Sequence, residues 1–128
     1  QIEYNSDLIK AYHVSDLLVK YQGRPSAWQN SDVENPIITT LGLAKSEGVL
    51  DPKKVDIFIN NLTYEYTRDK LGINNYDYYL RILEIDESDF DPILEKGVKN
   101  SSKEISITLR RYVMYNGEEA IVEIWLQR

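Results

Sequence analysis

The chain carries few of the side chains that perform chemistry. Its 128 residues include one histidine, His13, and no cysteine. A single imidazole excludes histidine-dependent triads and multi-histidine metal sites, and the lack of thiols excludes disulfides, thiolate nucleophiles and cysteine-type zinc sites. The six glycines are scattered, so the sequence has no phosphate-binding glycine loop. The residue types therefore predict a protein that is not an enzyme, with no catalytic residues and no cofactor.

An acidic run, Asp86–Asp91, is the one stretch that resembles a metal-binding loop. It reads DESDFD. An EF-hand loop needs oxygen ligands at alternate positions, a glycine at the sixth position and a distal glutamate. Phe90 stands where an oxygen ligand is required, and no glycine follows in time. The run is predicted to be a solvated loop, and no metal site is expected.

The composition favours an ordinary single domain over residues 1–128. Hydrophobic residues make up 42% of the chain and charged residues 28%, with a formal net charge of −6. A negative chain without a basic cluster is a poor ligand for nucleic acid or for an anionic membrane surface.

Two asparagines stand in glycosylation sequons. They are Asn61, in Asn61-Leu62-Thr63, and Asn100, in Asn100-Ser101-Ser102. Asn100 falls in a predicted loop and is expected to be the more accessible of the two. Asn61 falls inside a predicted helix beside an apolar residue. Either sequon matters only if the protein is extracytoplasmic.

The strongest structural signal in the sequence is a C-terminal β-hairpin. Two runs rich in β-branched and aromatic residues flank Asn116-Gly117, a strong signal for a two-residue type I′ turn. Counting outwards predicts four pairs on one apolar face: Tyr115–Glu118, Val113–Ala120, Leu109–Ile124 and Ile107–Leu126. The same alternation places Ile105 on this face.

Upstream, the spacing of apolar residues predicts two helices and one further strand. The helices span residues 1–22 and about 51–71, the second opened by Asp51-Pro52 and closed by Gly72. The strand spans Tyr76–Ile85. The predicted fold class is α+β, with two N-terminal helices packed on a three-stranded antiparallel sheet that ends in the hairpin.

Charged residues on the sheet are interpreted as structural ion pairs. Arg110 and Glu123 are opposite each other on one face. Arg111 interrupts the apolar face and needs a partner, for which Glu84 of the first strand is the candidate.

The reverse face of the hairpin carries a candidate interface. Tyr112, Ile121 and Trp125 form a cluster that is too apolar for a fully solvated surface. Either the irregular loop over residues 24–50, anchored by residues such as Trp28, covers this cluster, or the cluster binds a partner.

Several stretches of the chain resemble the heads of archaeal type IV pilin-like and related single-pass surface proteins. They are LLVKYQGRPSAWQ (Leu17–Gln29), LGLAKSEGVLDPKKV (Leu41–Val55), LGINNYDYYLRI (Leu71–Ile82) and the final strand that ends at Trp125. In that family a hydrophobic N-terminal helix follows a short cleaved leader, and its continuation packs on an antiparallel sheet. The resemblance implies a pilin-like head, and it implies a membrane-spanning segment upstream of Gln1.

The function implied by this resemblance is filament structure, assembly or adhesion. The partners would be other pilin-like subunits or surface components, and the localisation would be extracytoplasmic, at the cell surface and membrane-anchored. The alternative is a small cytosolic binding or adaptor domain that uses the Tyr112/Ile121/Trp125 face or the loop 24–50.

Overall fold

The computed structural model describes residues 2–32, 34–85 and 92–128. Within these ranges the chain forms one curled, mixed sheet with three α-helices. The helices are α1 (Ile2–Val19), α2 (Pro52–Asn60) and α3 (Tyr64–Lys70). The strands are β1 (Ala44–Ser46), β2 (Val49–Leu50), β3 (Asp77–Glu84), β4 (Leu94–Gly97), β5 (Ile105–Tyr115) and β6 (Glu118–Gln127), and their order across the sheet is β1-β2-β5-β6-β3-β4.

The C-terminal hairpin has the predicted register. All four predicted pairs of the apolar face are present, from Tyr115–Glu118 to Ile107–Leu126. Asn116 and Gly117 have positive φ values of 54° and 79°, as a type I′ turn requires. The prediction fails only at Ile105, because a bulge between Ile105 and Ile107 shifts the register and leaves Ile105 47% exposed.

The predicted architecture of two helices on a three-stranded antiparallel sheet is wrong. Within the described residues the sheet has six strands, and the pairing of β2 with β5 is parallel. The additional strands are short. β1 and β2 form inside the loop 24–50 around a turn at Gly48, and β4 extends the other edge beside β3. Strands of two to four residues carry too little alternation to be recognised from sequence.

The predicted second helix is two helices. Asp51 caps α2 as expected, accepting hydrogen bonds from the backbone N–H groups of Lys53 and Lys54. The chain then leaves the helix after Asn60, and the Thr63 side chain caps α3 by accepting from the N–H of Tyr66. The local helix stop and restart at residues 61–63 explain the difference, because a threonine hydroxyl favours an N-cap over a helix interior.

One side of the sheet is covered by helices and forms the main core. α1 crosses β5 and β6, and α2 lies near β4 and the 3-10 turn Trp28–Asn30. Buried residues of α1 and β6 meet here, among them Val14, Leu18, Val122, Ile124 and Leu126.

The reverse side of the sheet is also partly buried, because the sheet curls. Tyr79 and Leu83 of β3 and Glu123 of β6 lie on this side and are each at most 2% exposed. The ring of Trp125 packs against Tyr79, with ring centroids 5.0 Å apart, and the side chains of Arg81 and Lys99 lie near its ring. These described neighbours of Trp125 belong to β3 and to the segment after β4, not to the loop 24–50.

The loop 24–50 is held in place by its own apolar residues. Trp28 is fully buried, and its indole N–H donates to the carbonyl oxygen of Gly42 at 3.0 Å. Ile38 and Leu41 are buried as well. The loop therefore contributes to the core and to one sheet edge, and it leaves the side chain of Ile37 72% exposed.

Candidate interaction surface

The most buried charged group of the reverse face is Glu123. Arg81 Nε donates to Oε1 at 2.8 Å, Trp125 Nε1 donates to the same oxygen at 2.7 Å, and Arg110 Nε donates to Oε2. Burial alone would raise the pKa of this carboxyl group, but the hydrogen bonds from Arg81, Trp125 and Arg110 hold its pKa below the ordinary value. The carboxylate is therefore fixed in its charged form by three donors.

Asp77, at the start of β3, gathers a second polar cluster. Its Oδ2 accepts from Asn100 Nδ2 at 2.9 Å and pairs with Lys103 Nζ at 3.1 Å. Its Oδ1 accepts from Tyr64 Oη at 2.9 Å. The hydrogen bonds from Asn100 and Lys103 lower the pKa of Asp77 to about 2. This cluster ties β3 to α3 and to the segment before β5.

Lys54 is a buried cation that donates hydrogen bonds to backbone carbonyl groups. Its Nζ donates to the carbonyl oxygens of Gln22 at 2.8 Å and Ala44 at 3.1 Å. Burial lowers the pKa of Lys54, and Asp51 opposes that shift. The side chain joins α2 to the segment after α1 and to β1.

In each of these three clusters, the central charged group is already hydrogen-bonded to other residues of the chain. Four surface clefts of about 210 to 520 Å³ among the described residues are lined by other side chains. Catalytic pairs need groups whose pKa values are separated and which face a place where a reactant can lie. The clusters of Glu123, Asp77 and Lys54 are therefore interpreted as structural.

The exposed feature of the fold is the outer edge of β5. This strand has 11 residues, and within the described residues β2 pairs with it only at Met114. The N–H of Met114 donates to the carbonyl oxygen of Gly48 at 2.9 Å, which shows that even-numbered residues of β5 direct their backbone groups away from β6. Thr108 and Tyr112 share this direction, and no backbone group of the described residues pairs with their outward N–H and C=O.

An apolar groove lies at the end of this edge, near the hairpin turn. Its volume is about 400 Å³, and its lining includes Ile85, Tyr112 and Met114. Tyr112 is 75% exposed, and Ile85 and Met114 are also exposed. Solvated hydrophobic side chains next to unpaired strand backbone are the properties of a surface that another chain can cover.

The four residues predicted as an interface do not form one surface. Tyr112 is exposed and lies opposite the half-buried Ile121. Trp125 is four residues farther along β6 and is packed against Tyr79, and Trp28 is fully buried in the loop 24–50. Tyr112 and Ile121 are therefore the two members that remain in a candidate contact surface.

One of the two predicted ion pairs is present in the structure, and in the other Arg111 has a different partner. Arg110 and Glu123 are paired in the structure. Arg111 lies against α1 rather than beside Glu84: its NH1 donates to Asp16 Oδ1 and to Ser15 Oγ, each at 2.7 Å. Glu84 belongs to β3 and pairs with Ala120 of β6. Because β6 lies between β3 and β5, Glu84 is one strand away from the strand that carries Arg111.

The remaining predicted site residues are not part of this surface. His13 is exposed on α1. The predicted order of accessibility of the two sequons is wrong: Asn61 is exposed in the turn after α2, which ends at Asn60, whereas Asn100 is half-buried. The acidic run Asp86–Asp91 lies outside the described residues. In the part of the chain that the structure describes, no group of three or more histidine or carboxylate side chains could hold a metal ion.

Comparison of the chain with protein-family models, with curated proteins and with solved structures gives no match. Within the described ranges, no helix is both long enough and apolar enough to cross a bilayer.

Sequence reasoning missed the backbone edge at Thr108 and the groove residues Ile85 and Met114. An unpaired edge is a property of sheet order, and the order of strands cannot be read from the hairpin alone. The one available signal was the length of β5, which exceeds that of every other described strand.

Proposed function

We propose that the chain is the non-enzymatic head of a pilin-like surface protein and that it binds other protein subunits by strand addition at the outer edge of β5. The observation that supports this proposal is the outward backbone of Thr108 and Tyr112, which no backbone group of the described residues pairs with. The outward N–H and C=O groups of these two residues can pair with an extended chain, which supplies complementary donors and acceptors.

The environment of the edge suits such a partner. The groove lined by Tyr112 and Met114 can receive an apolar side chain of the added strand. The opposite edge of the sheet is less suitable, because β4 has only four residues and Lys96 and Gly97 lie at its end. A net charge of −6 disfavours nucleic acid as the partner.

A pair of substitutions at Thr108 tests the strand addition. Thr108→Pro removes the outward N–H and places a ring in the path of an incoming strand, but it leaves the bonds to β6 intact because those belong to odd-numbered residues. Thr108→Ala is the matched control, since it removes the side chain and keeps the N–H.

The assay is complementation of a deletion strain with the full gene in three forms: the unaltered gene, Thr108→Ala and Thr108→Pro. Surface filaments are counted by electron microscopy, attachment of cells is measured, and surface amounts are compared by labelling. We expect Thr108→Ala to restore both activities and Thr108→Pro to restore neither at an equal surface amount and an equal melting temperature. Full restoration by Thr108→Pro would refute strand addition at this edge.

The alternative is a cytosolic binding domain, which is favoured by the exposed Tyr112 in the groove near the hairpin turn. Such a domain would use the same edge in another compartment. Protease added to intact cells separates the two, because a surface head is cleaved and a cytosolic domain is protected. Protection from the protease would contradict the surface assignment and leave the strand-binding edge in place.

A further inference from the structure

The two sequons of the chain differ sharply in the folded protein. Asn61 is exposed in the turn that joins α2 and α3, and its backbone N–H is fixed by the carbonyl oxygen of Ile57 at 2.9 Å. Among the described residues, none forms a hydrogen bond with its side-chain amide. Leu62 turns into the core at 6% exposure, so Asn61 and Thr63 are left on the solvent side.

The third residue of this sequon is also accessible. Thr63 is exposed, and its Oγ1 accepts a hydrogen bond from the N–H of Tyr66 at 3.1 Å. Accepting this bond leaves the hydroxyl proton of Thr63 free to be donated. A shallow groove of about 210 Å³ lies beside the sequon and is lined in part by Tyr66 and Pro36. It offers the first sugar of an attached glycan a surface to pack against.

Asn100 has the opposite character, because its amide is part of the Asp77 cluster. Its Nδ2 donates to Asp77 Oδ2 at 2.9 Å. Its Oδ1 accepts from the backbone N–H of Ser102 at 3.0 Å and from the Ser102 hydroxyl at 2.6 Å. Its backbone is bonded to the side chain of Gln127 on both sides. A glycan on Asn100 would disturb bonds that anchor the start of β5.

We propose that Asn61 is an N-glycosylation site of the folded protein and that Asn100 is not. The modifying enzyme is an oligosaccharyltransferase, and the co-substrate is a lipid-linked oligosaccharide. The Nδ2 of Asn61 attacks the anomeric carbon of the sugar, and the bond from that carbon to the phosphate oxygen breaks. The lipid phosphate leaves with the bonding electrons, and the amide loses one proton to a base of the enzyme. No electrons are gained or lost overall.

This inference rests on the proposed function for its compartment, because the transferase acts outside the cytoplasm. The first experiment is peptide mass spectrometry of the protein isolated from its native cells. We expect a glycan mass on the peptide that contains Asn61 and the unmodified mass for the peptide that contains Asn100. Asn61→Gln should abolish the glycan, whereas Thr63→Ser should retain it, since serine preserves both the sequon and the hydroxyl cap of α3.

Protease treatment of intact cells is run in parallel. If the protein is accessible at the surface and Asn61 is unmodified, the glycosylation site is refuted while the surface assignment stands. If the protein is protected, the surface assignment fails and a second measurement decides the site. In that measurement, the purified folded protein is incubated with an oligosaccharyltransferase and its lipid-linked donor. Modification of Asn61 at least ten times faster than that of Asn100 supports the inference, and any smaller ratio overturns it.

Discussion

Replacing Asp77 by asparagine should remove a pH-dependent part of the stability of the fold. The side chain of Asp77 is only 14% exposed, and hydrogen bonds from Asn100 and Lys103 lower its pKa from 3.8 to about 2. One pKa unit corresponds to about 1.4 kcal/mol, so the ionised carboxylate contributes about 2 kcal/mol to the free energy of unfolding. Asparagine has nearly the same shape, but it carries no charge, and in either orientation its Nδ2 would face a group that now donates to Asp77: Asn100 and Lys103 on one side, or Tyr64 on the other.

The sign of the effect follows from the direction of the shift. Because the pKa is lower in the folded state, the stabilisation is fully present well above pH 3.8 and is lost as the pH falls towards 2. At pH 6 we expect Asp77→Asn to be about 2 kcal/mol less stable than the unaltered protein. At pH 3 the unaltered protein should have lost roughly 1 kcal/mol of this advantage, and near pH 2 the two proteins should approach each other.

Urea unfolding followed by tryptophan fluorescence measures this difference at each pH. The chain has 21 acidic residues, and all except Asp77 are common to both proteins, so their titration cancels in the comparison. Glu118→Gln is the control, because Glu118 is an exposed carboxylate beside the hairpin turn. Curves for the unaltered protein and Asp77→Asn that stay parallel from pH 6 to pH 3 would refute the reasoning.

Three further substitutions test the packing. Trp28→Phe should cost about 2 kcal/mol of unfolding free energy, because it leaves the Gly42 carbonyl without its donor and opens a void. Urea unfolding measures this loss, and an unchanged urea midpoint would contradict it. Gly97→Ala should cost about 2 kcal/mol, because φ is +99° and an added Cβ would overlap the Tyr78 carbonyl oxygen; thermal unfolding measures it, and a gain in melting temperature would show that the edge relaxes. Leu126→Ala, at a fully buried position, should cost about 2 to 5 kcal/mol in urea unfolding, and a loss below about 1 kcal/mol would mean that the core collapses around the gap.

The sequence predicted the parts of the fold whose signals are local. The hairpin register follows from Asn116-Gly117 and strict alternation, and both survive in the structure except where the bulge displaces Ile105. The break at residues 61–63 was missed because the apolar spacing continues across it, although Thr63 is a good helix cap. The predicted pairing of Arg111 with Glu84 is wrong because Arg111 contacts Asp16 on α1. Strand alternation predicts partners within a sheet, but it does not predict which helix lies across that sheet. The contact surface depends on strand order, which is set by long-range packing.

One consequence of the fold concerns its synthesis. The helix α1 is made before the strands that it covers, β5 and β6, and Asp16 and Arg111 are 95 positions apart. At ordinary rates of translation, roughly 5 to 20 s pass between the two events. During that time the side of α1 that faces the sheet lacks these two strands, so the nascent domain cannot complete its core until β6 has been made.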